Sequence, residues 1–184
     1  MTDPRTTLPA IARAAIAEKL GIATVGQHEL PGELMRPGAS FVTLKKDGEL
    51  RGCIGTLSAW RPLAEDVQQN ALAAAFRDPR FSPLQADEWP DITLEVSLLS
   101  PPQPFPVADE ADTCRQLRPG VDGLTLKAGA RCATFLPQVW EQLPEPHEFL
   151  AQLKRKAGLP GDYWGPDISL ERYTVTPWHE KTSP

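Results

Sequence analysis

One cysteine stands between two glycines in Leu50-Arg51-Gly52-Cys53-Ile54-Gly55-Thr56. A thiol is a nucleophile only as its thiolate, and a nearby cation favours that form. Residues two apart on a strand share a face, so Arg51 is the predicted partner of Cys53. Gly52 and Gly55 permit close approach of a ligand and leave main-chain donors open to an oxyanion. The chemistry this pattern predicts is that of a cysteine-dependent enzyme or group carrier. The competing reading is a small buried side chain, the common state of a free cysteine.

Glu95 is the next candidate. Ile92, Leu94, Val96 and Leu98 alternate with Thr93, Glu95 and Ser97, which predicts a strand with one core face and one wetter face. Glu95 then lines a cleft or simply faces solvent. A Cys–His pair needs an imidazole, and the chain offers His28 in a polar loop, His147 at a helix start and His179 beside Trp178 and Glu180. Spacing selects none of them. Cys53, Cys114 and Cys132 show no paired-ligand spacing and no His-Glu-x-x-His occurs, so no metal site is predicted. The cysteine cluster of an iron–sulfur site is absent. Gly52-x-x-Gly55 lacks the Lys and Ser/Thr of a phosphate loop, and no Gly-x-Ser-x-Gly elbow occurs. Glu65-Asp66 and Asp87-Glu88 read as solvated surface pairs.

The elements that must position Cys53 follow from periodicity. Phe41–Leu44 begins a strand, Lys46-Asp47-Gly48-Glu49 makes a tight turn, and Leu50–Ile54 returns. Alternation would turn Leu50, Gly52 and Ile54 away from Arg51 and Cys53. Leu8, Ile11, Ala12, Ala15, Ile16 and Leu20 form a helical stripe, capped by Thr6 or Thr7 and ended by Gly21. A second helix follows Pro62 and ends near Asp78-Pro79. Ser100-Pro101-Pro102-Gln103-Pro104-Phe105-Pro106 reads as a stiff extended connection. Pro146–Leu153 starts a further helix, with Lys154, Arg155 and Lys156 at its C-terminal end and Gly158 as cap. Ile168–Val175 is the last predicted strand. Trp164, in a Gly-rich segment, is a candidate lid or groove wall.

An internal echo runs through the chain. Pro37-Gly38, four residues and Thr43-Leu44-Lys45 recur as Pro119-Gly120, four residues and Thr125-Leu126-Lys127. The alternatives are a duplicated hairpin unit and a chance match. Duplication aligns Cys132 with Cys53 after a two-residue deletion and predicts a buried, inert thiol at Cys132.

Composition narrows the class. The chain has 184 residues, 41% hydrophobic, with net charge -5 and pI about 5.2. It lacks the basic stripe of a nucleic-acid binder and the run of about 20 apolar residues that spans a bilayer. Three widely spaced cysteines fit a reducing compartment, so the cytoplasm is expected.

Leu50-Arg51-Gly52-Cys53-Ile54-Gly55-Thr56-Leu57 resembles the signature of the AMMECR domain family. That is the Alport-syndrome, midface-hypoplasia and elliptocytosis region family, which includes protein A of the bacterial and archaeal AmmeMemoRadiSam system. Asp78-Pro79-Arg80-Phe81, Leu136-Pro137-Gln138-Val139 and Lys156-Ala157-Gly158-Leu159 match further family strings in order and spacing. The resemblance implies an α+β fold: mostly antiparallel sheet flanked by helices, in two lobes of related strand-helix units. It implies one domain over residues 8–180, made of two intimately packed lobes, with 1–7 and 181–184 as flexible termini. It also implies partnership with a Memo-like protein and a radical SAM protein. The family supplies no reaction and no cofactor. Its motif has been read as an enzyme site, which carries over onto Arg51, Gly52, Cys53 and Gly55. The alternative role is a non-catalytic adaptor or small-molecule-binding partner. Asp122 stands where many relatives have His, and Lys154-Arg155 where prokaryotic members often have Cys, so no role is carried to those positions.

Overall fold

The motif cysteine lies in a β-hairpin at one side of a four-stranded sheet. The computed structural model describes residues 4–22 and 30–180. Within it, β1 (Ala39–Lys46) and β2 (Glu49–Gly55) run antiparallel, joined by Asp47 and Gly48 at φ of 52° and 82°. Positive φ at both turn positions suits Asp-Gly and matches the twist of the strands. Thr43 faces Cys53 and Phe41 faces Gly55. The register then shifts, with Leu44 opposite Gly52 and Lys45 opposite Leu50. Arg51 is thus the extra residue of a β-bulge. The bulge interrupts the predicted alternation, and Leu50 is exposed while Gly52 is buried.

The chain divides into two compact units, Met1–Leu99 with Thr176–Pro184, and Ser100–Val175. In the first, the sheet order is β2-β1-β3-β8, with β3 at Ile92–Leu99 and β8 at Val175–His179. β3 pairs antiparallel with β1, which sets Glu95 opposite Thr43 and Ser97 opposite Phe41. Val42, Leu44, Leu94 and Val96 point into a core shared with α1 (Pro4–Lys19) and α2 (Leu63–Phe76). The stripe of α1 buries Leu8, Ala12 and Ile16 completely, and Gly21 at φ 71° follows its end. The helix begins at Pro4, ahead of the predicted Thr caps. Proline suits a first helical position because its missing N–H needs no partner there.

The second unit repeats this plan. Its elements are α3 (Glu110–Gln116), β5 (Gly123–Ala128), β6 (Arg131–Phe135), α4 (Pro146–Lys156) and β7 (Ile168–Tyr173). β4 (Gln103–Pro104) completes the sheet in the order β4-β7-β5-β6. The order α-β-β-α-β is that of α1 to β3. Each fourth strand follows the third strand of the other unit: β4 comes after β3, and β8 after β7. Leu124, Leu126, Leu150 and Leu153 fill the second core, where Trp140 stacks on Phe149 at 3.8 Å. Trp164 packs partly buried against this core.

Among the described residues, one α-helix and two strands lie outside the predicted set. α3 is a seven-residue helix started by Asp109, whose side chain accepts from the Asp112 N–H, and it is too short to show a period. The proline-rich run contributes β4, which pairs with β7 at the edge of the sheet; proline is tolerated at such an edge. β8 continues the chain past the expected last strand and is held by Glu180, whose carboxylate accepts from Arg13 and from the Leu94 N–H at 3.1 Å.

The register corrects the alignment of the echo. Thr125 faces Thr134 across β5–β6 and Glu171 across β7, as Thr43 faces Cys53 and Glu95. Lys127 pairs with Glu171 at 2.9 Å, as Lys45 pairs with Glu95 at 3.6 Å. The counterpart of Cys53 is therefore Thr134, not Cys132, which is exposed opposite Lys127.

Candidate functional site

The Cys53 side chain is half-buried, on the sheet face turned away from α2. The neighbouring Gly52 decides this: a Cβ built there would lie 2.2 Å from the Ala74 carbonyl oxygen of α2. Gly52 therefore meets the helix, and Cys53, one residue on, takes the other face. Thr43 Oγ1 donates to Cys53 Sγ at 3.3 Å.

β2 is an edge strand, so the outward backbone groups of Cys53 need partners from outside the sheet. Asp78 and Arg80 supply both. The Cys53 N–H donates to Asp78 Oδ2 at 2.9 Å, and Arg80 Nη2 donates to the Cys53 carbonyl at 3.2 Å. The same Arg80 grips Asp78 through Nε at 3.0 Å and Nη2 at 2.7 Å. This fork holds the buried Asp78 carboxyl well below the usual carboxylate range, aided by the Cys53 N–H and opposed by burial. Arg80 is held above its ordinary value, first by the hydrogen bond to Asp78 and against burial. Arg80 is thus the cation the structure brings to Cys53.

Arg51, the cation expected there, faces Glu88. Its Nε and Nη2 meet the two Glu88 oxygens at 3.0 and 2.9 Å, and Nη2 also reaches the Ser82 carbonyl at 3.0 Å. Arg51 lowers the Glu88 pKa to about 2, against burial. At Gly55 a Cβ would lie 2.2 Å from the Phe41 ring. At both glycines, then, close approach is made by the chain's own helix and ring. Glu95 lies in the same cross-strand row as Thr43 and Cys53, two strands from the thiol, and carries Lys45 at 3.6 Å and His179 Nδ1 at 3.4 Å. His147 is exposed in the second unit, 4.0 Å from Glu110. His28 lies outside the described residues. Among the described residues no three His, Cys, Asp or Glu side chains gather to hold a metal.

Behind the motif lies a buried polar cluster. Asp66, expected at a solvated surface, is fully buried. Its Oδ2 accepts from the Ser40 N–H (2.8 Å), Ser40 Oγ (2.7 Å) and Asn70 Nδ2 (3.0 Å), and its Oδ1 accepts from Arg61 Nε (2.9 Å). Asn70 Nδ2 also reaches Thr56 Oγ1 at 3.1 Å, and the Thr56 N–H donates to the Ser40 carbonyl at 2.9 Å. The cluster ties the end of the Cys53 strand to β1 and α2. Asp66, Asp78 and Arg80 are what a reading by motif type missed. The signal available was the family string Asp78-Pro79-Arg80-Phe81, which carried no role until the fold laid it along β2.

A family model described as AMMECR1 matches residues 9–178. The chain belongs to the AMMECR1 family. Among relatives of this AMMECR1 chain, a Methanothermobacter thermautotrophicus protein is 40% identical over 182 residues, covering 97% of this chain and 95% of its own. A Thermotoga maritima protein is 42% identical over 151 residues, covering 80% and 82%. The crystal structure of an uncharacterized Pyrococcus horikoshii protein superposes with a TM-score of 0.80 at 33% identity, covering 96% and 92%. The α+β reading and the family resemblance both hold. No helix among the described residues is long and apolar enough to cross a membrane.

Proposed function

We propose that this AMMECR1 chain is a cysteine-dependent member of an AmmeMemoRadiSam-type system, with Cys53 as nucleophile or point of group attachment. The observation that carries the reading is the setting of Cys53: a half-buried thiol taking a hydrogen bond from Thr43, on a residue whose backbone carbonyl is held by a guanidinium locked to a buried carboxylate. A structural cysteine needs no hydrogen bond to its sulfur. Glu95 and Arg51 then act at a distance from the sulfur, Arg51 by holding the strand through Glu88. Gly52 and Gly55 bring the strand against α2 and Phe41. The substrate reaches the domain as a small molecule or on a partner, the partners being the Memo-like and radical SAM proteins. Residues 8–180 work as one domain of two lobes. Three free thiols suit the cytoplasm.

The test is the pH dependence of Cys53 alkylation in the folded chain, read by peptide mass spectrometry beside Cys114 and Cys132. Labelling with a midpoint well below about 8.5 supports the reading. No labelling until unfolding sinks it.

An adaptor role is the second reading. It is favoured by Leu57 and Trp60, exposed at 44% and 68% in the loop that follows the motif. A Trp60→Ala chain that folds but no longer captures a Memo-like protein supports the adaptor. A Cys53→Ala chain that keeps capture and loses the system's activity supports the thiol.

A further inference from the structure

We propose that the outward edge of Arg80 is an oxyanion subsite, so that the electrophile taken by Cys53 carries a carboxylate or phosphate close to its reacting carbon. The inference rests on the thiol reading of Cys53 above. Arg80 has five donors and uses Nε and Nη2 on Asp78 and the Cys53 carbonyl. Its Nη1 has no partner among the described residues, and its side chain is 53% exposed although its Asp78 anchor is buried. A fixed guanidinium with a free edge is a prepared receptor for an oxyanion. Its Cζ lies over Phe81, 5.5 Å from the ring centroid, a favourable cation–π contact.

The second unit serves as an internal control. There Lys156 Nζ donates to the Thr134 carbonyl at 2.9 Å, in the place where Arg80 donates to the Cys53 carbonyl. Holding that edge carbonyl therefore requires only an ammonium. Two changes coincide in the first unit: a thiol replaces the Thr134 hydroxyl, and a carboxylate-locked guanidinium replaces the ammonium. A strand clamp accounts for the contacts to the Cys53 N–H and carbonyl, but not for the exposed Nη1 edge.

In the reaction the Cys53 thiolate attacks the electrophilic carbon. The sulfur–carbon bond forms as the bond to the leaving group breaks, and the leaving group departs with its electron pair. The thiol proton passes to solvent, and nothing is oxidised or reduced. Arg80 holds the neighbouring oxyanion and so brings the carbon to the sulfur.

Iodoacetate and iodoacetamide test this on the full chain, since both alkylate the same sulfur and differ by one carboxylate. The iodoacetate-to-iodoacetamide rate ratio at Cys53 is expected to exceed that of the urea-unfolded chain by about tenfold. It should fall to within about twofold in a folded Arg80→Gln chain and recover in part in Arg80→Lys. Iodoacetate rates should also saturate in the unaltered chain while iodoacetamide rates stay linear, a reading that needs no variant. Reaction with both reagents at the unfolded ratio, without saturation, overturns the subsite and leaves the thiol reading standing. No reaction with either removes both.

Discussion

Gly52 has no room for a side chain, because the Ala74 carbonyl of α2 occupies the place of its Cβ. Neither a helix backbone nor a strand can move aside cheaply, so Gly52→Ala should cost about 2–4 kcal/mol, read as a lowered urea midpoint. Arg51 and Arg80 divide the work that one arginine was expected to do. Arg51→Gln removes a two-pronged charged hydrogen bond and should cost about 1.5–3 kcal/mol. Cys53 alkylation should stay unchanged in the same chain, since Arg51 faces Glu88. Glu88 titrates at about 2 when folded and 4.5 ordinarily. The depressed value means that its contribution is complete above 4.5 and disappears as pH falls through about 2. Asp78, also held low, adds in the same direction. Acid titrations of stability should therefore fall less steeply below pH 4.5 in Arg51→Gln than in the unaltered chain.

At the scale of elements, the Cys53 strand is held at both ends and along its edge. The Glu88 pair holds the bulge, Asp78 and Arg80 cap the edge, and the Asp66 cluster fixes the exit at Thr56. Asp66→Ala would leave the Ser40 N–H, the Ser40 hydroxyl, Asn70 and the Arg61 guanidinium without their shared acceptor. A loss of about 3–5 kcal/mol is expected in thermal or urea unfolding. A change below about 1 kcal/mol would mean that water replaces the carboxylate and that the cluster does not tie β1 to α2.

For the molecule as a whole, the two similar sheet-helix units compare one plan with and without a thiol. Thr134 already accepts from Thr125 Oγ1 at 3.1 Å and lies 2.9 Å from the Tyr173 hydroxyl. Thr134→Cys should fold, with about 1 kcal/mol lost from that hydroxyl network. It puts a sulfur in the row equivalent to Cys53, beside Lys156 in place of a locked arginine. Its alkylation should show no preference for iodoacetate over that of the unfolded chain. A preference as large as that of Cys53 would show that the common sheet row, and not Arg80, selects the anion.

The one-dimensional pattern carried everything that depends on neighbours along the chain. Asp47-Gly48 determined the hairpin turn, the apolar stripe determined α1, strict alternation determined β3, and the motif strings determined the family. A period or a turn residue acts within a few positions, so it is legible locally. Tertiary structure decided what depends on distant partners. It inserted the bulge that sends Arg51 to Glu88, buried Asp66 where adjacency suggested solvent, and set Thr134 in the place expected of Cys132. It also brought Asp78 and Arg80, 25 and 27 residues away, onto the edge of Cys53. Register and side-chain pairing across that separation depend on how helix and sheet pack, and no local pattern records it.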